Sequence, residues 1–395
     1  MDAGTVRGLQ TPEGIGLLAE VTARGVDDDT LLGTLATLRA RFPEPLVAAA
    51  VTQVRLRHRA EAKFGADAAA MFFTADGMEQ ATRQSVAAHR ARRYADAGVD
   101  RVLDLCCGVG GDLIALGRAG LSVHGVDRDE LTVEVARANV AALGLGERAG
   151  VEQADVTDVD LAGWPAAFCD PARRAGGRRV FDPRSYSPPF RFLEQVAAAI
   201  PFSGAKVAPG IPHDQVPPGA EAEWVSDGGE VKEAALWFGP FATTTRRATL
   251  LPAGETLVDQ GLGRPPTGAP GQFLYEPDGA VVRAHLVAEV AAIVGGRLVD
   301  PTIAYVTADR YVDTAFARAY EIAEVLPFSR KRLQQVLRAR GVGRVTVKKR
   351  GSAVDTEALR RALRLDGAAE ATVILTRVAG APTALVGTPV PRGQQ

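Results

Sequence analysis

Cysteine is scarce in this sequence of 395 residues: there are three, at positions 106, 107 and 169, two of them adjacent. Such a set cannot build a disulfide framework, so the expected compartment is the cytoplasm. Histidine is nearly as rare, with five scattered copies, and neither residue type falls at the spacing of a zinc site; no metal is expected. No run of about 18 apolar residues is present, and Met1-Asp2-Ala3-Gly4-Thr5 does not open a signal peptide, so no membrane association is expected. Lysine is short as well, supplying six of the 46 basic residues. The heavy use of Arg, Ala, Gly and Val looks like that of a GC-rich bacterial genome, whose codon bias would inflate arginine everywhere.

Net charge is only −1, but it is unevenly spread. Residues 330–366 hold twelve Lys and Arg against three Asp and Glu, a local net of +9, which leaves about −10 for the rest. That asymmetry points to an anionic partner such as nucleic acid, with a solvated basic surface as the alternative.

The run Asp104-Leu105-Cys106-Cys107-Gly108-Val109-Gly110-Gly111-Asp112 carries the most information. An apolar stretch precedes it and a helical pattern follows, so it reads as the strand, tight turn and helix of a nucleotide-binding crossover. The next strand ends at Asp127, 19 residues beyond Gly108, where a carboxylate can accept both hydroxyls of a ribose. The dinucleotide fingerprint fails, because Leu113 stands where it needs a third small residue. Asp104 and Asp112 would also repel a pyrophosphate, at a cost on the order of several kcal/mol. A ligand with a sulfonium and an ammonium suits them instead.

The spacing of Asp104, Gly108 and Gly110 resembles the first motif of class I S-adenosylmethionine-dependent methyltransferases. The resemblance implies S-adenosylmethionine as cofactor, held by Asp104, Cys106, Gly108, Gly110 and Asp112 of the turn and by Asp127 with Arg128. It also implies contacts from Asp155 and Val156 after the third strand. Over residues 70–172 the chain is similar to trimethylguanosine synthases, in which a Phe-Ser/Thr segment precedes the same turn; Phe73 and Thr74 are its counterparts.

Three domains are expected: a helical one over 1–95, the methyltransferase core over 96–251 and a small α/β domain over 252–395. In the first, helices are read over 29–38 and 46–64, the second bearing a basic run (Arg55, Arg57, His58, Arg59, Lys63) taken as a solvated face. Another helix leads to Asp96. The core alternates strand and helix as a Rossmann-like seven-stranded sheet does. After a Pro- and Gly-rich link at 263–271 come mixed helices and strands, with elements over 281–293, 332–339, 344–349 and 371–377. Tyr275-Glu276-Pro277-Asp278, residues 233–239 and residues 345–351 together resemble a bacterial methyltransferase group with a THUMP-like C-terminal domain. That likeness implies a structured RNA substrate.

The acceptor site is expected at Asp170-Pro171-Ala172-Arg173, where the fourth strand ends. Amino-group methyltransferases carry a second proline and an aromatic here, the ring stacking on a flipped base. Ala172 and Arg173 replace both, which leaves the methylated atom open. Ser187-Pro188-Pro189-Phe190 has the letters of that motif but reads equally well as a helix start. Between them, Arg173, Arg174, Arg178, Arg179 and Arg184 form a loop suited to RNA phosphates, joining the basic region 330–364 as candidate contacts. His213 is a candidate base without further support. Asp170, Pro171 and Arg173 are the catalytic candidates, with Asp170 orienting the acceptor for in-line transfer. The alternatives are methylation of a protein or small molecule, or an inactive binding module on the same fold.

Overall fold

The computed structural model describes residues 1–26, 28–172, 174–175, 178–179 and 186–391, of which 28–32, 34, 174–175 and 178–179 are described by backbone alone. They form two compact units, Met1–Glu221 with Glu233–Thr243, and Ala222–Lys232 with Thr244–Gln395.

The first unit opens in helices. In α1 (Ala3–Leu9) Asp2 accepts the Thr5 N–H at 2.8 Å, and in α2 (Pro12–Arg24) Thr11 accepts that of Gly14 at 3.1 Å. Then come α3 (Asp28–Arg39) and α4 (Glu44–Phe64), which Pro43 and Pro45 introduce. Val6, Leu9, Leu17, Val21, Val47 and Val54 recur at helical spacing and are buried together. The basic run of α4 is only partly a solvated face. Arg55, His58 and Arg59 are exposed, but Arg57 donates to the Met71 carbonyl at 2.8 Å and lies over the Phe72 ring.

Where one helix was expected up to Asp96 there are two, α5 (Ala75–Gln80) and α6 (Gln84–Asp96). Lys63 explains the break. It donates to the carbonyls of Met78 at 2.9 Å and Ala81 at 3.1 Å, which satisfies the end of α5 without another turn.

Among the described residues, the main sheet of this unit has six strands: β1 (Arg101–Leu105), β2 (Ser122–Asp127), β3 (Ala149–Gln153), β4 (Ala166–Cys169), β7 (Phe202–Val207) and β9 (Glu230–Trp237), the last counted here from Glu233. Their order is β9-β7-β4-β1-β2-β3, all parallel except β9, which runs against β7. Two-residue strands β5 (Arg174–Ala175) and β6 (Arg178–Arg179) pair with each other. The crossovers are α7 (Gly111–Arg118), α8 (Glu130–Ala142) and α9 (Phe190–Ala199). Strands covered on both faces need unbroken apolar runs, and Ala166-Ala167-Phe168-Cys169 is fully buried. Tyr94, Leu113, Phe168, Trp237 and Phe241 fill the core beside them. Strand order reverses between β1 and β4, and at such a switch point the carboxyl ends of the strands leave a crevice.

Two buried amides fasten the segment leading into α5. Gln53 bonds both the N–H and the carbonyl of Phe73, at 2.9 and 2.7 Å. Asn139 of α8 does the same for Phe72, at 2.6 and 3.0 Å, and its amide also donates to the Val109 carbonyl at 2.8 Å.

The second unit contains β8 (Glu221–Asp227, counted from Ala222), β10 (Arg246–Leu251) parallel to it, and β11 (Glu255–Val258) antiparallel to β10. A seven-stranded sheet is built from β12 (Phe273–Pro277), β13 (Arg297–Asp300), β14 (Ile303–Ala308), β15 (Ala317–Pro327), β16 (Val342–Lys349), β17 (Ala369–Val378) and β18 (Ala381–Pro389). Its order is β13-β14-β12-β15-β18-β17-β16, with β16 and β17 the parallel pair. The element expected over 281–293 is two helices, α10 (Gly279–Arg283) and α11 (Val287–Val294), because His285 between them has φ +57°. Helices α12 (Arg330–Ala339) and α13 (Thr356–Leu363) bury Leu333, Leu337, Leu359 and Leu363 against Val373, Leu375 and Val386. Their arginines are left outside. Among the described residues no helix is long and apolar enough to cross a membrane.

Candidate active site

The crevice of the first unit is a cavity of about 370 Å³ at the ends of β1, β2 and β4. Its floor is the turn after β1. Gly108 (φ +56°) and Gly110 (φ +90°) bend the chain through the left-handed region, where a side chain would be strained. The turn is tied down from β2: Asp127 Oδ2 accepts the Gly108 N–H and its Oδ1 accepts that of Asp129, both at 3.1 Å. Burial holds the Asp127 carboxyl above the ordinary range, partly offset by these two bonds.

Asp104 is 1 % exposed, yet it lines the cavity, and its Oδ2 has no hydrogen-bond partner among the described residues. Burial pushes it well above the usual carboxylate value, and the neighbouring Asp112 charge adds to this. Asp112 itself is fully engaged. It accepts from Arg90 on one oxygen and from the Thr82 hydroxyl, at 3.0 Å, on the other. Arg90 also grips Glu233 of β9 and lies 4.0 Å over the Phe168 ring.

Asp170 emerges from β4, its N–H donating to the Leu105 carbonyl at 3.0 Å. Its Oδ2 accepts from Lys206 at 2.7 Å, and Lys206 also donates to Thr82 Oγ1 at 3.0 Å. Seven carboxylates line the cavity (Asp76, Glu79, Asp104, Asp112, Asp127, Asp129, Asp170) against two cations, Arg128 and Lys206. Such a site favours a cationic ligand, and the unpaired oxygen of Asp104 is placed for an ammonium. A Cβ at Gly108 would meet open space, so ligand atoms have room there.

Of the residues singled out from sequence, Thr74, Asp104, Cys106, Gly108, Asp112, Asp127, Arg128, Asp170 and Pro171 line this cavity. Gly110 lies just behind, capping α7. Phe73 is turned away and packs 5.4 Å from Phe64. Asp155 accepts the N–H and hydroxyl of Thr157, Val156 is buried, and neither reaches the lining, nor does His213. Arg173 and Arg184 lie outside the described residues, and Arg174, Arg178 and Arg179 are placed by backbone alone. The two rival acceptor motifs turn out to be neighbours: Ser187 and Ala172 exchange backbone hydrogen bonds at 2.9 and 3.0 Å.

Lys206, Thr82, Arg90 and Glu233, the buried groups that anchor the cavity's aspartates, were not among the candidates read from sequence. Two left a trace. A lone lysine interrupts the otherwise uncharged β7, and Arg90 sits on the buried stripe of α6 with Val86, Ala87, Ala91 and Tyr94.

Residues 102–169 match the family model of a methyltransferase domain, and residues 317–389 match that of a THUMP domain-like region. Residues 2–60 match a domain of unknown function. Uncharacterized S-adenosylmethionine-dependent methyltransferases of Mycobacterium tuberculosis, strains CDC 1551 / Oshkosh and H37Rv, are each 36% identical over 352 residues, covering 86% of this chain and 95% of theirs. The crystal structure of a methyltransferase candidate from Porphyromonas gingivalis W83 superposes with a TM-score of 0.76 over 92% of this chain and 99% of its own. At 21% identity that likeness is one of fold. With a relative this similar along nearly its whole length, the chain belongs to the S-adenosylmethionine-dependent methyltransferases, and it carries a THUMP domain-like region.

Proposed function

We propose that this enzyme methylates a structured RNA in the bacterial cytoplasm. The observation that carries the reading is a groove of about 800 Å³ in the second unit, within the THUMP domain-like region. Arg318, Arg344, Arg360, Arg361 and Arg364 line it against one carboxylate, Glu370, which pairs with Arg344. Their neighbours on α12 (Arg330, Lys331, Arg332 and Arg338) are exposed, so the helical part of the basic region presents its charge outward, while Lys348 pairs with Glu276 and Arg350 donates to the Ala304 carbonyl. A groove this basic suits a phosphate backbone, and the arginines over 173–184 would add contacts near the acceptor.

In this reading Asp127 takes the ribose hydroxyls, Asp104 the ammonium, and Asp170 with the Pro171 carbonyl orients the acceptor group. When bound, S-adenosylmethionine would supply a methyl group activated by its positively charged sulfur and would leave as the neutral thioether, while Asp170 holds the acceptor lone pair toward that group. The proton that the acceptor sheds passes by Asp170 to water. The protein aligns the reactants, and the alignment is most of the catalysis.

Purified protein incubated with methyl-labelled cofactor and bulk bacterial tRNA and rRNA is expected to label RNA. Asp170→Ala should lose the label while cofactor affinity stays within a few-fold. Label in protein, or none in RNA, would overturn the RNA reading.

A second expectation concerns protons. Asp104 faces Asp112, Asp170 and Asp127, which disfavour its charge, and Arg90, which favours it but is committed to Asp112 and Glu233. An ammonium arriving beside Asp104 favours its charged form, so cofactor binding releases protons wherever the free enzyme's carboxyl still holds one. Because the free enzyme's carboxyl titrates above its usual value, affinity rises with pH through that raised range and is flat above it. Calorimetry in buffers of different ionisation heat measures the release. Identical heats in all buffers, or release that persists in Asp104→Asn, would refute it.

A further inference from the structure

Lys206 is the last residue but one of β7, is 4 % exposed, and still brings its ammonium to the cavity. Burying a lysine is unfavourable unless its charge is paired, and a cradle for a cationic ligand has no use for a second cation. What Lys206 does is join separate pieces of wall. It donates to Asp170 Oδ2 at 2.7 Å and to Thr82 Oγ1 at 3.0 Å, with the Gln80 carbonyl at 3.5 Å. Thr82 passes the restraint on to Asp112 at 3.0 Å, and Asp112 is gripped by the buried Arg90. One oxygen of Asp170 is therefore fixed by a chain of contacts that ends in the core. Its other oxygen, Oδ1, makes no hydrogen bond among the described residues, and the side chain is 24% exposed at the cavity wall.

We infer that Lys206 is the positioning residue for methyl transfer: it occupies Asp170 Oδ2, leaves Oδ1 to the acceptor, and so sets the acceptor's angle to the methyl carbon. No aromatic platform follows Pro171, because Ala172 stands next. A carboxylate clamped from behind supplies by rigidity what a stacked ring would supply by contact. The inference rests on Asp170 as the acceptor residue and is independent of whether the acceptor is RNA.

The test uses the full chain with Lys206→Met and Lys206→Arg. On the RNA pool of the labelling experiment, Lys206→Met is expected to lower kcat about 100-fold, the scale of a misplaced reactant. KM for RNA and the calorimetric Kd for S-adenosylmethionine should stay within about threefold. Lys206→Arg, which keeps a donor to Oδ2, should recover at least about a tenth of the wild-type rate. A merely structural lysine would instead lower thermal stability and cofactor affinity together.

Crystal structures of the wild type and Lys206→Met with S-adenosylhomocysteine give a readout that needs no acceptor. Asp170 should keep one orientation in the first and turn in the second. Turnover by Lys206→Met within about threefold of wild type, or an unmoved Asp170 carboxylate in that variant, overturns the assignment. A wild type that labels no RNA sinks the RNA reading instead, and the crystallographic comparison then decides on Lys206.

Discussion

Replacing Asp127 by alanine is expected to weaken S-adenosylmethionine binding about 100-fold, with the fold intact. Both oxygens of this side chain are already used inside the protein, one on the Gly108 N–H and one on that of Asp129. Each oxygen has a second lone pair left for a ribose hydroxyl. A hydrogen bond to a charged group contributes about 1.5–3 kcal/mol, and losing two, partly replaced by water, comes to about 3 kcal/mol, or about 100-fold. The alanine also frees the Gly108 N–H, so the turn loosens as the ligand contact goes. Asp127→Asn keeps one acceptor oxygen, sets its amide NH2 against the other backbone N–H and loses the charge, and should fall between the two at about tenfold. Calorimetric titration of the three proteins measures this. Affinity in Asp127→Ala within threefold of wild type would remove Asp127 from the cofactor site.

Arg90→Met should cost the first unit about 3–5 kcal/mol, the penalty for stranding buried carboxylates without their partner. Arg90 is 2 % exposed, and its two ends hold Asp112 and Glu233, which are 6 % and 3 % exposed. Lysine would not substitute well, since one ammonium cannot fork to two carboxylates across a ring face. The deficit should depend on pH in a definite direction. Burial raises the Glu233 carboxyl above its usual value. A carboxyl raised in the folded state binds more protons there than in the unfolded chain, so stability falls as pH rises through the interval. Removing Arg90 widens that interval, and the deficit of Arg90→Met should therefore shrink toward acid. Denaturation followed by hydrogen exchange in β1 and β4 reads the first unit separately from the second. A loss under 1 kcal/mol, or one constant with pH, would contradict the account.

The cavity floor was legible because its chemistry is local. A glycine turn between a strand and a helix, and a carboxylate one strand later, lie within 24 consecutive residues, Asp104 to Asp127. Phe73 and Thr74 show where that stops. They are neighbours in an extended segment whose side chains alternate, so only one could line the cavity, and spacing alone did not say which. Thr74 lines it. Lys206 and Arg90 were harder still. The contact from Lys206 to Asp170 spans 36 residues and that from Arg90 to Glu233 spans 143. In the sequence Arg90 is one of several arginines in a helix that also shows an apolar face. Its stripe position marks it as buried, but arginine is so abundant along the chain that one more in a helix carries little signal. The break between α5 and α6 was illegible for the same reason, since it depends on Lys63 reaching the carbonyls at the end of α5 from α4.

The amide of Asn139 joins Phe72, two residues before the cavity wall at Thr74, to Val109 on its floor. Wall and floor are thus fastened to one side chain on α8, whose first turn itself reaches the cavity at Thr132. Ordering loops around a ligand normally consumes part of the binding free energy. Here that ordering is done when the chain folds, so S-adenosylmethionine meets a receptacle that is already shaped. The affinity it gains is spent on recognition rather than on assembling the site.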